Sequence, residues 1–390
     1  MFKRMLAIAI IFLGASVAWI FLSDSMMRRT NESNDNLRTG VISTWGAPQV
    51  QKPPLVVRTG TLAPARIEPA RSRVDVSLNI DYRQKGLLWY STYVVDFAGS
   101  YLYRNDSPQR QNVDIRMNFP AQHAVYDGFV MQLNGQAVPF VSDQSGASVT
   151  ADLAPGESAS LRVAYRSRGM DNWMYRFGDG VTRTNDFTLR MKTNFRNVDF
   201  PADSLSPTAK QETGGGWDLT WRYESLISGF QIGMTMPQKL QPGPLAGEII
   251  QFAPVSLLLF FFMVFLVTTL RKTDIHPVNY FFLACGFFSF HLLLAYLVDH
   301  IDIQIAFVIC SVVSVFLVVS YLRLVVGLRT ALVEAGGAQL LYLVLFSWTF
   351  FLHGFTGLAI TIGCILTLLA AMQLTGRIRW AGFFAPGEAQ

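Results

Sequence analysis

Cysteine is scarce in this chain, and its placement excludes a disulfide-based fold. The three cysteines, Cys285, Cys310 and Cys364, all lie in apolar runs, and the polar stretch of residues 24–248 has none. A thiol inside an apolar run usually serves as a small packing residue. The polar stretch is long enough to bury a core of its own, so we expect it to fold without disulfide bonds.

Histidine is also rare, and the motifs of common enzymes are missing. Only His123 lies in the polar stretch, which excludes a histidine-rich metal site there. The sequence has no His-Glu-x-x-His zinc helix, no Gly-x-Ser-x-Gly elbow, no phosphate-binding glycine loop and no Cys-x-x-Cys pair. The carboxylates of the polar stretch are scattered over strand and turn positions that are typical of solvated side chains. We therefore predict no catalytic site, no metal centre and no cofactor.

Long apolar runs are what the chain does have. An α-helix needs about 20 residues to cross a hydrocarbon core about 30 Å thick. Six runs come near or reach that length, and they are residues 5–22, 249–270, 277–298, 303–322, 338–353 and 355–375. The sequence therefore predicts six transmembrane spans, one at the N-terminus and five in a bundle over residues 249–380.

The basic residues are distributed unevenly, and this predicts the topology. Residues 24–248 carry 24 Lys and Arg against 22 Asp and Glu, which leaves no charge for binding nucleic acid. The other basic residues flank the apolar runs, and they are Lys3, Arg4, Arg271, Lys272, Arg323, Arg329, Arg377 and Arg379. Lys and Arg in short loops stay cytoplasmic. We therefore predict a bacterial inner-membrane protein with both termini cytoplasmic and residues 24–248 periplasmic, although Arg28 and Arg29 oppose this orientation.

The first apolar run has two interpretations. A basic start followed by Ser16-Val17-Ala18 resembles a cleavable signal peptide. The run continues to Leu22, however, and so reaches the length of a span. We interpret residues 1–23 as a retained membrane anchor, with cleavage as the open alternative.

The polar stretch divides into a tether and a β domain. Residues 24–72 are rich in Asn and Pro without a sustained apolar period, which predicts a flexible tether. From residue 73 apolar side chains alternate, as in Val74, Val76 and Leu78, and Asn134-Gly135 is a strong hairpin signal. Eight or more such strands predict an antiparallel β-sandwich over residues 73–240. The fold class is therefore an α+β membrane protein, with a periplasmic β-sandwich on a six-span bundle.

One loop of the β domain is unusually aromatic. Trp173, Tyr175 and Phe177 lie between turn residues, where polar side chains are normal. They are a candidate docking loop for a protein partner or the bilayer surface. The alternative is a loop folded over one end of the sandwich.

Five polar residues of the membrane segment are candidate functional residues, since ionisable groups in hydrocarbon are costly. His276 precedes Pro277 at a helix start, which suits a cap or contact with lipid headgroups. Asp299, His300 and Asp302 form a short connection that either binds a cation or a proton or is a solvated turn. His291 lies deepest, either as a packed histidine held by a hydrogen bond to a neighbouring helix or as a proton relay.

The membrane segment resembles the CreD family of inner-membrane, cell-envelope integrity proteins. His276, Pro277 and Tyr280 match its His-Pro-x-x-Tyr helix start, within the run from Arg271 to Tyr280, and Asp299-His300 matches an acidic-His pair at the end of the same helix. Phe187-Thr188-Leu189 followed by Trp217 and Trp221 also fits. The resemblance covers residues 185–380, is weak over 24–184, and His291 does not belong to it. It implies an envelope-associated role in stress or β-lactam responses, in a family with no established enzymatic activity.

Three functional hypotheses follow. The first is a non-enzymatic envelope protein in the lipid bilayer, whose β domain binds a periplasmic or membrane protein partner. The second is a transporter or proton-coupled device that uses His291, Asp299, His300 and Asp302. The third is a membrane enzyme that acts on lipid-linked or cell-wall material.

Overall fold

The computed structural model describes residues 2–59, 66–85, 88–122, 124–271, 275–352 and 354–376, with the side chains of residues 2, 3 and 33 also outside the description. The chain divides into two compact units. One comprises Met1–Asn34 and Leu240–Gln390, and the other comprises Asp35–Lys239. His123, which the sequence analysis singled out, lies outside the described residues.

The first unit is helical. Its helices are α1 (Phe2–Trp45, whose last eleven residues belong to the second unit), α2 (Pro242–Gln251), α3 (Ala253–Leu270), α4 (Pro277–Leu297), α5 (Ile303–Val326), α6 (Leu328–Phe351) and α7 (Thr356–Thr375). Within the described part of the chain, all except α2 are long and apolar enough to cross a membrane. The helix α6 begins ten residues before the predicted run 338–353, so Arg329 and Glu334 lie in the helix and not in a loop.

Regular α-helical geometry is interrupted within α6. Residues Ala331–Ala335 and Leu340–Leu345 form π-helical turns, and Thr349–Phe351 form a 3₁₀ turn. Single π turns inside helices are uncommon and are frequent at functional sites.

Aromatic side chains and one close backbone approach hold the helices together. The rings of Phe260 on α3 and Phe287 on α4 lie 4.5 Å apart between centroids. A Cβ atom at Gly286 of α4 would lie only 2.5 Å from Val318 of α5. Gly286 therefore permits α4 and α5 to approach closely, as small residues do between membrane helices.

The second unit is rich in β-strands. They are β1 (Gln49–Gln51), β2 (Leu55–Arg58), β3 (Arg66–Ile67), β4 (Arg71–Ile80), β5 (Arg83–Lys85), β6 (Leu88–Tyr90), β7 (Thr92–Arg104), β8 (Gln111–Asn118), β9 (Tyr126–Leu133), β10 (Gln136–Ala137), β11 (Val141–Ser142), β12 (Gly146–Leu153), β13 (Ser158–Met170), β14 (Asn172–Tyr175), β15 (Thr182–Thr193), β16 (Ala209–Glu212), β17 (Trp217–Ser228) and β18 (Ile232–Thr235).

Two large sheets dominate this unit. The larger has the order β10-β9-β13-β7-β4-β15-β17-β16, and the second has the order β11-β12-β8-β2-β3. The strands β1-β14-β18 and β5-β6 form two small sheets. The predicted purely antiparallel pairing is corrected at two places, because β4 pairs with β15 and β1 with β14 in parallel. Both parallel partners are distant in sequence, and an alternating apolar pattern does not specify which strand becomes the neighbour.

Both large sheets contribute to one hydrophobic core. Val74, Val76 and Leu78 of β4 are buried as their alternation predicts, and Val113 and Ile115 of β8 join the same cluster. The predicted hairpin is also confirmed. Asn134 and Gly135 both have positive φ, 50° and 81°, between the antiparallel strands β9 and β10. This is the backbone that a two-residue type I′ turn requires.

Where a flexible tether over residues 24–72 was predicted, the structure has helix and strands. The helix α1 continues to Trp45, and β1, β2 and β3 follow it. Leu37, Val41 and Trp45 repeat every four residues and so share one helix face, which packs against Leu88, Tyr90 and Met170. This small apolar face gives the helix a tertiary partner, and the Asn-rich composition around it does not prevent helix formation.

Candidate functional site

Asp299, His300 and Asp302, the predicted polar cluster between α4 and α5, do not act together, because each has a different environment in the structure. Asp302 caps α5, and its Oδ1 accepts a hydrogen bond from the Gln304 N–H at 2.8 Å. Asp299 forms an ion pair with Arg29, and His300 is exposed. Among the described residues no group of three or more His, Cys, Asp or Glu side chains is arranged to hold a metal ion.

Arg29 is the residue at this end that sequence reasoning missed. Its Nη1 lies 2.9 Å from Asp299 Oδ2, and its Nη2 donates to the carbonyl oxygen of Ala295 in the last turn of α4. The guanidinium carbon also lies 5.3 Å from the centroid of the Tyr296 ring. A cation at the C-terminal end of a helix is favourable for the helix dipole. Arg29 thus joins α1 to the end of α4, and neighbouring Arg28 pairs with Asp24 within α1 at 3.0 Å.

His291 is fully buried in α4. Its Nδ1 lies 3.0 Å from the carbonyl oxygen of Phe287 one turn earlier, and because a carbonyl oxygen can only accept, Nδ1 is the donor. The predicted hydrogen bond to a neighbouring helix is thereby corrected, since the bond stays within α4. Within the described part of the chain, His291 Nε2 and the indole N–H of Trp19 are both buried without a hydrogen-bond partner, and the two rings meet edge to face at 5.6 Å.

His291 and the connection after α4 do not form one site. Eight residues separate His291 from Asp299, which corresponds to about 12 Å along a helix. Asp299 is already paired with Arg29, as described above. The structure therefore does not assemble the four residues of the transport hypothesis into a relay.

The start of α4 has the geometry of a cap. His276 Nδ1 accepts a hydrogen bond from the Val278 N–H at 3.3 Å, and Pro277 occupies the first turn. Tyr280 is fully buried, and its ring meets that of Phe261 edge to face at 5.3 Å. Lys272, Thr273 and Asp274, which precede this motif, lie outside the described residues.

The aromatic candidates of the β domain are core residues. Trp173 and Tyr175 lie on β14 between β1 and β18, and Trp173, Tyr175 and Phe177 are all buried. The centroids of the Phe177 and Phe187 rings are 4.8 Å apart. The prediction of a docking loop is corrected, because alternating aromatics on a short central strand face a core and not solvent.

A cavity of about 250 Å³ lies between α3, α5 and α6, and sequence reasoning did not find it. Apolar side chains form most of its wall, among them Met263, Val267 and Leu341. Arg271 and Glu334 form an ion pair at its lining, and Glu334 Oε2 is buried without a partner in the described structure. We call it the α3–α6 cavity. The available signal was Glu334, an acidic residue beside an apolar run.

A buried polar chain crosses three helices next to this cavity. Gln339 of α6 donates from Nε2 to the Ser314 hydroxyl of α5 at 2.8 Å. That hydroxyl donates to the Gly286 carbonyl oxygen of α4 at 2.6 Å. These bonds fix the rotation of α6 relative to its neighbours.

Helices of membrane-spanning length together with large mixed sheets define an α+β membrane protein. Residues 246–381 match the sequence model of the family described as Inner membrane protein CreD. This segment is therefore similar to the CreD family of inner membrane proteins, which confirms the resemblance seen at His276, Pro277 and Tyr280. None of the curated protein sequences is significantly similar to the chain.

Two solved structures show distant similarity to the chain. A putative nutrient binding protein from Legionella pneumophila has 9% identity and a TM-score of 0.34, over 52% of this chain and 75% of that protein. An M1 zinc metallopeptidase from Deinococcus radiodurans has 15% identity and a TM-score of 0.28, over 43% of this chain and 42% of the peptidase. Similarity at this level carries no functional argument.

Proposed function

We propose that the protein is a non-enzymatic component of the cell envelope, whose β-rich unit binds a periplasmic or membrane protein partner in envelope integrity or stress response. Its inner-membrane location follows from the CreD family match. The β-rich unit has its own core, and we propose that its two large sheets form a two-layer sandwich, because both contribute to that core.

The observation that carries partner binding is an exposed apolar patch on the β-rich unit. It consists of Val181 and Ile227, whose exposed fractions are 73% and 70%. Thr182 lies opposite Ser228 in the antiparallel pair β15–β17, so Val181 and Ile227 are diagonal neighbours on one face. Clustered exposed apolar side chains mark interaction surfaces more often than scattered ones do.

Crosslinking in cells tests this patch. We expect a photoreactive residue at Val181 or Ile227 of the full-length protein to give one stoichiometric protein adduct by mass spectrometry. Val125, whose exposed fraction of 74% matches that of Val181, is the control position and should give none. The absence of an adduct at the patch, or the same adduct at both positions, would contradict the proposal.

The proposed orientation places both termini in the cytoplasm and the β-rich unit in the periplasm. The ends of α3, α5 and α6 that carry Arg271, Arg323 and Arg329 support it. Arg28 and Arg29, which opposed it in the sequence, are each paired with a carboxylate and so carry less weight. A reporter that is active only in the periplasm should stay silent when fused after residue 379, and activity there would refute the orientation.

We also propose that residues 1–23 are retained as an anchor. Trp19 is fully buried, and its ring contacts those of Phe288 and His291 of α4. Cleavage after Ala18 would leave Trp19 at a free, charged N-terminus within the bundle, which is costly in hydrocarbon. An N-terminal epitope tag should therefore remain on the mature protein in an immunoblot, and its loss would show that the segment is a signal peptide.

A further inference from the structure

The α3–α6 cavity has the size and the wall chemistry for a segment of an acyl chain. A water molecule fills about 30 Å³, so a cavity of about 250 Å³ has room for roughly eight groups of that size. The polar groups of Thr268 and Tyr342 in its wall are already used, since their hydroxyls donate to the Phe265 carbonyl and the Thr367 hydroxyl. Lipid acyl chains surround the helices of a membrane protein, so an acyl chain is the apolar ligand available to this cavity.

The charged groups at the cavity select a headgroup. Glu334 lies six residues into α6, where an ionised carboxylate is costly unless both oxygens have partners. Arg271 pairs with Oε1, while Oε2 stays buried without a partner in the described structure. The Arg271 side chain is 57% exposed and so remains accessible to an anion. Glu334 Oε2 can therefore still accept a hydrogen bond from an N–H donor, and the exposed side of the Arg271 guanidinium can still bind an anion beside it.

We propose that the α3–α6 cavity binds phosphatidylethanolamine, with an acyl chain in the apolar cavity, the phosphate at Arg271 and the ammonium group donating to Glu334 Oε2. A primary ammonium donates hydrogen bonds, whereas the quaternary ammonium of phosphatidylcholine has no N–H to donate. The headgroup of phosphatidylglycerol brings an anion but no cation for Glu334. Charge-assisted hydrogen bonds are among the strongest polar contacts, so the primary ammonium decides the selectivity.

Native mass spectrometry of the full-length protein in detergent tests the site. The protein is titrated with phosphatidylethanolamine, phosphatidylcholine and phosphatidylglycerol that carry identical acyl chains. We expect one tightly bound phosphatidylethanolamine, preferred over the other two lipids by about tenfold, or about 1.4 kcal/mol. Glu334→Gln should abolish this preference while the protein keeps its melting temperature in detergent within a few degrees.

A cavity-filling variant tests binding of the acyl chain independently of binding of the headgroup. A Cβ atom at Gly337 meets no atom within 4 Å, so Gly337→Leu fills the cavity without a clash and should reduce lipid retention at least fivefold. Gly363→Leu on α7 is the matched control, because Gly363 has equally open surroundings outside the cavity and should bind lipid as the unmodified protein does. Equal affinity for the three lipids, or retention unaffected by Gly337→Leu, would overturn the proposal.

Discussion

Removal of Arg29 should destabilise the membrane bundle by about 2 kcal/mol. Its exposed ion pair with Asp299 is worth about 0.2–1 kcal/mol. The cation at the C-terminal end of α4 adds about 0.3–1 kcal/mol, and the contact with the Tyr296 ring adds about 0.5–1 kcal/mol. Because Arg29→Ala removes all three contacts, its cost should be near their sum.

Variants that remove only some of these contacts should show how much of the free energy each contact contributes. Asp299→Asn removes only the ion pair and should cost about 0.5 kcal/mol. Arg29→Lys keeps the charge but loses the planar group over Tyr296, so we expect a cost of about 1 kcal/mol. The control is Arg28→Ala, which breaks an exposed pair within α1 and should cost at most about 0.5 kcal/mol.

The assay is reversible unfolding of the full-length protein in mixed micelles, with sodium dodecyl sulfate as denaturant and circular dichroism as the signal. Two results would refute the reasoning. If Arg29→Ala costs no more than Arg28→Ala, the contacts with α4 do not stabilise the bundle. If Asp299→Asn costs as much as Arg29→Ala, the ion pair alone carries the effect, and the helix end and the Tyr296 ring contribute nothing.

Three further predictions concern His291 and the β-rich unit. His291→Leu and His291→Gln should accumulate normally and change stability by less than about 1 kcal/mol, because no bond to another helix is lost; two stable but inactive variants in a deletion-strain complementation assay would instead favour a proton relay. The fragment of residues 35–239 should fold alone. It should also melt at a higher temperature than the fragment 70–240 in circular dichroism, because the fragment 70–240 lacks the last turns of α1 and the strands β1–β3. Equal melting temperatures of the two fragments would contradict this prediction. Arg190 hydrogen-bonds Asp218 and holds the pKa of that carboxyl below its usual range. The stabilisation from this pair is therefore present above about pH 4 and is lost as the pH falls through the lowered pKa. Asp218→Asn should flatten the acid side of the curve of unfolding free energy against pH for the full-length protein, and an unchanged curve would show that the pair does not contribute.

Period-two patterns predicted the β-rich unit well, because each strand reports its own buried face. The alternation of Val74, Val76 and Leu78 and the turn at Asn134-Gly135 are local properties, and both are present as expected. The parallel neighbours β4 and β15 depend on which strands meet, and no local pattern carries that information.

The two errors in the polar stretch have different origins. The aromatics Trp173 and Tyr175 also alternate, but turn residues on both sides made the segment look like a loop. The spacing of Leu37 and Val41 is a helical signal, whereas the Asn-rich composition around it is typical of a tether. In both cases composition was given more weight than periodicity.

In the membrane segment, apolar length predicted most helices but none of the polar contacts. The partners of Arg29 at the end of α4 lie more than 260 residues away in sequence, as the 266-residue separation from Ala295 shows. Arg271 and Glu334 likewise meet only because α3 and α6 pack side by side. Which side chains pair between helices depends on how the helices pack and rotate against one another. The apolar runs of the sequence specify neither the packing nor the rotation.

The π-helical turns of α6 bear on how this helix tolerates changes in length. One residue inserted into an α-helix rotates everything after it by about 100°, whereas a π turn absorbs the extra residue locally. The two π turns lie on either side of Gln339, whose Nε2 donates to the Ser314 hydroxyl. We expect deletion of one residue within Leu340–Leu345 to restore plain α-helix and to be tolerated better than a deletion in the middle of α4, a comparison that deletion scanning of folded protein levels measures. A better-tolerated deletion in α4 would show the opposite. We therefore expect α6 to tolerate a change in length of one residue while its buried polar contacts remain intact.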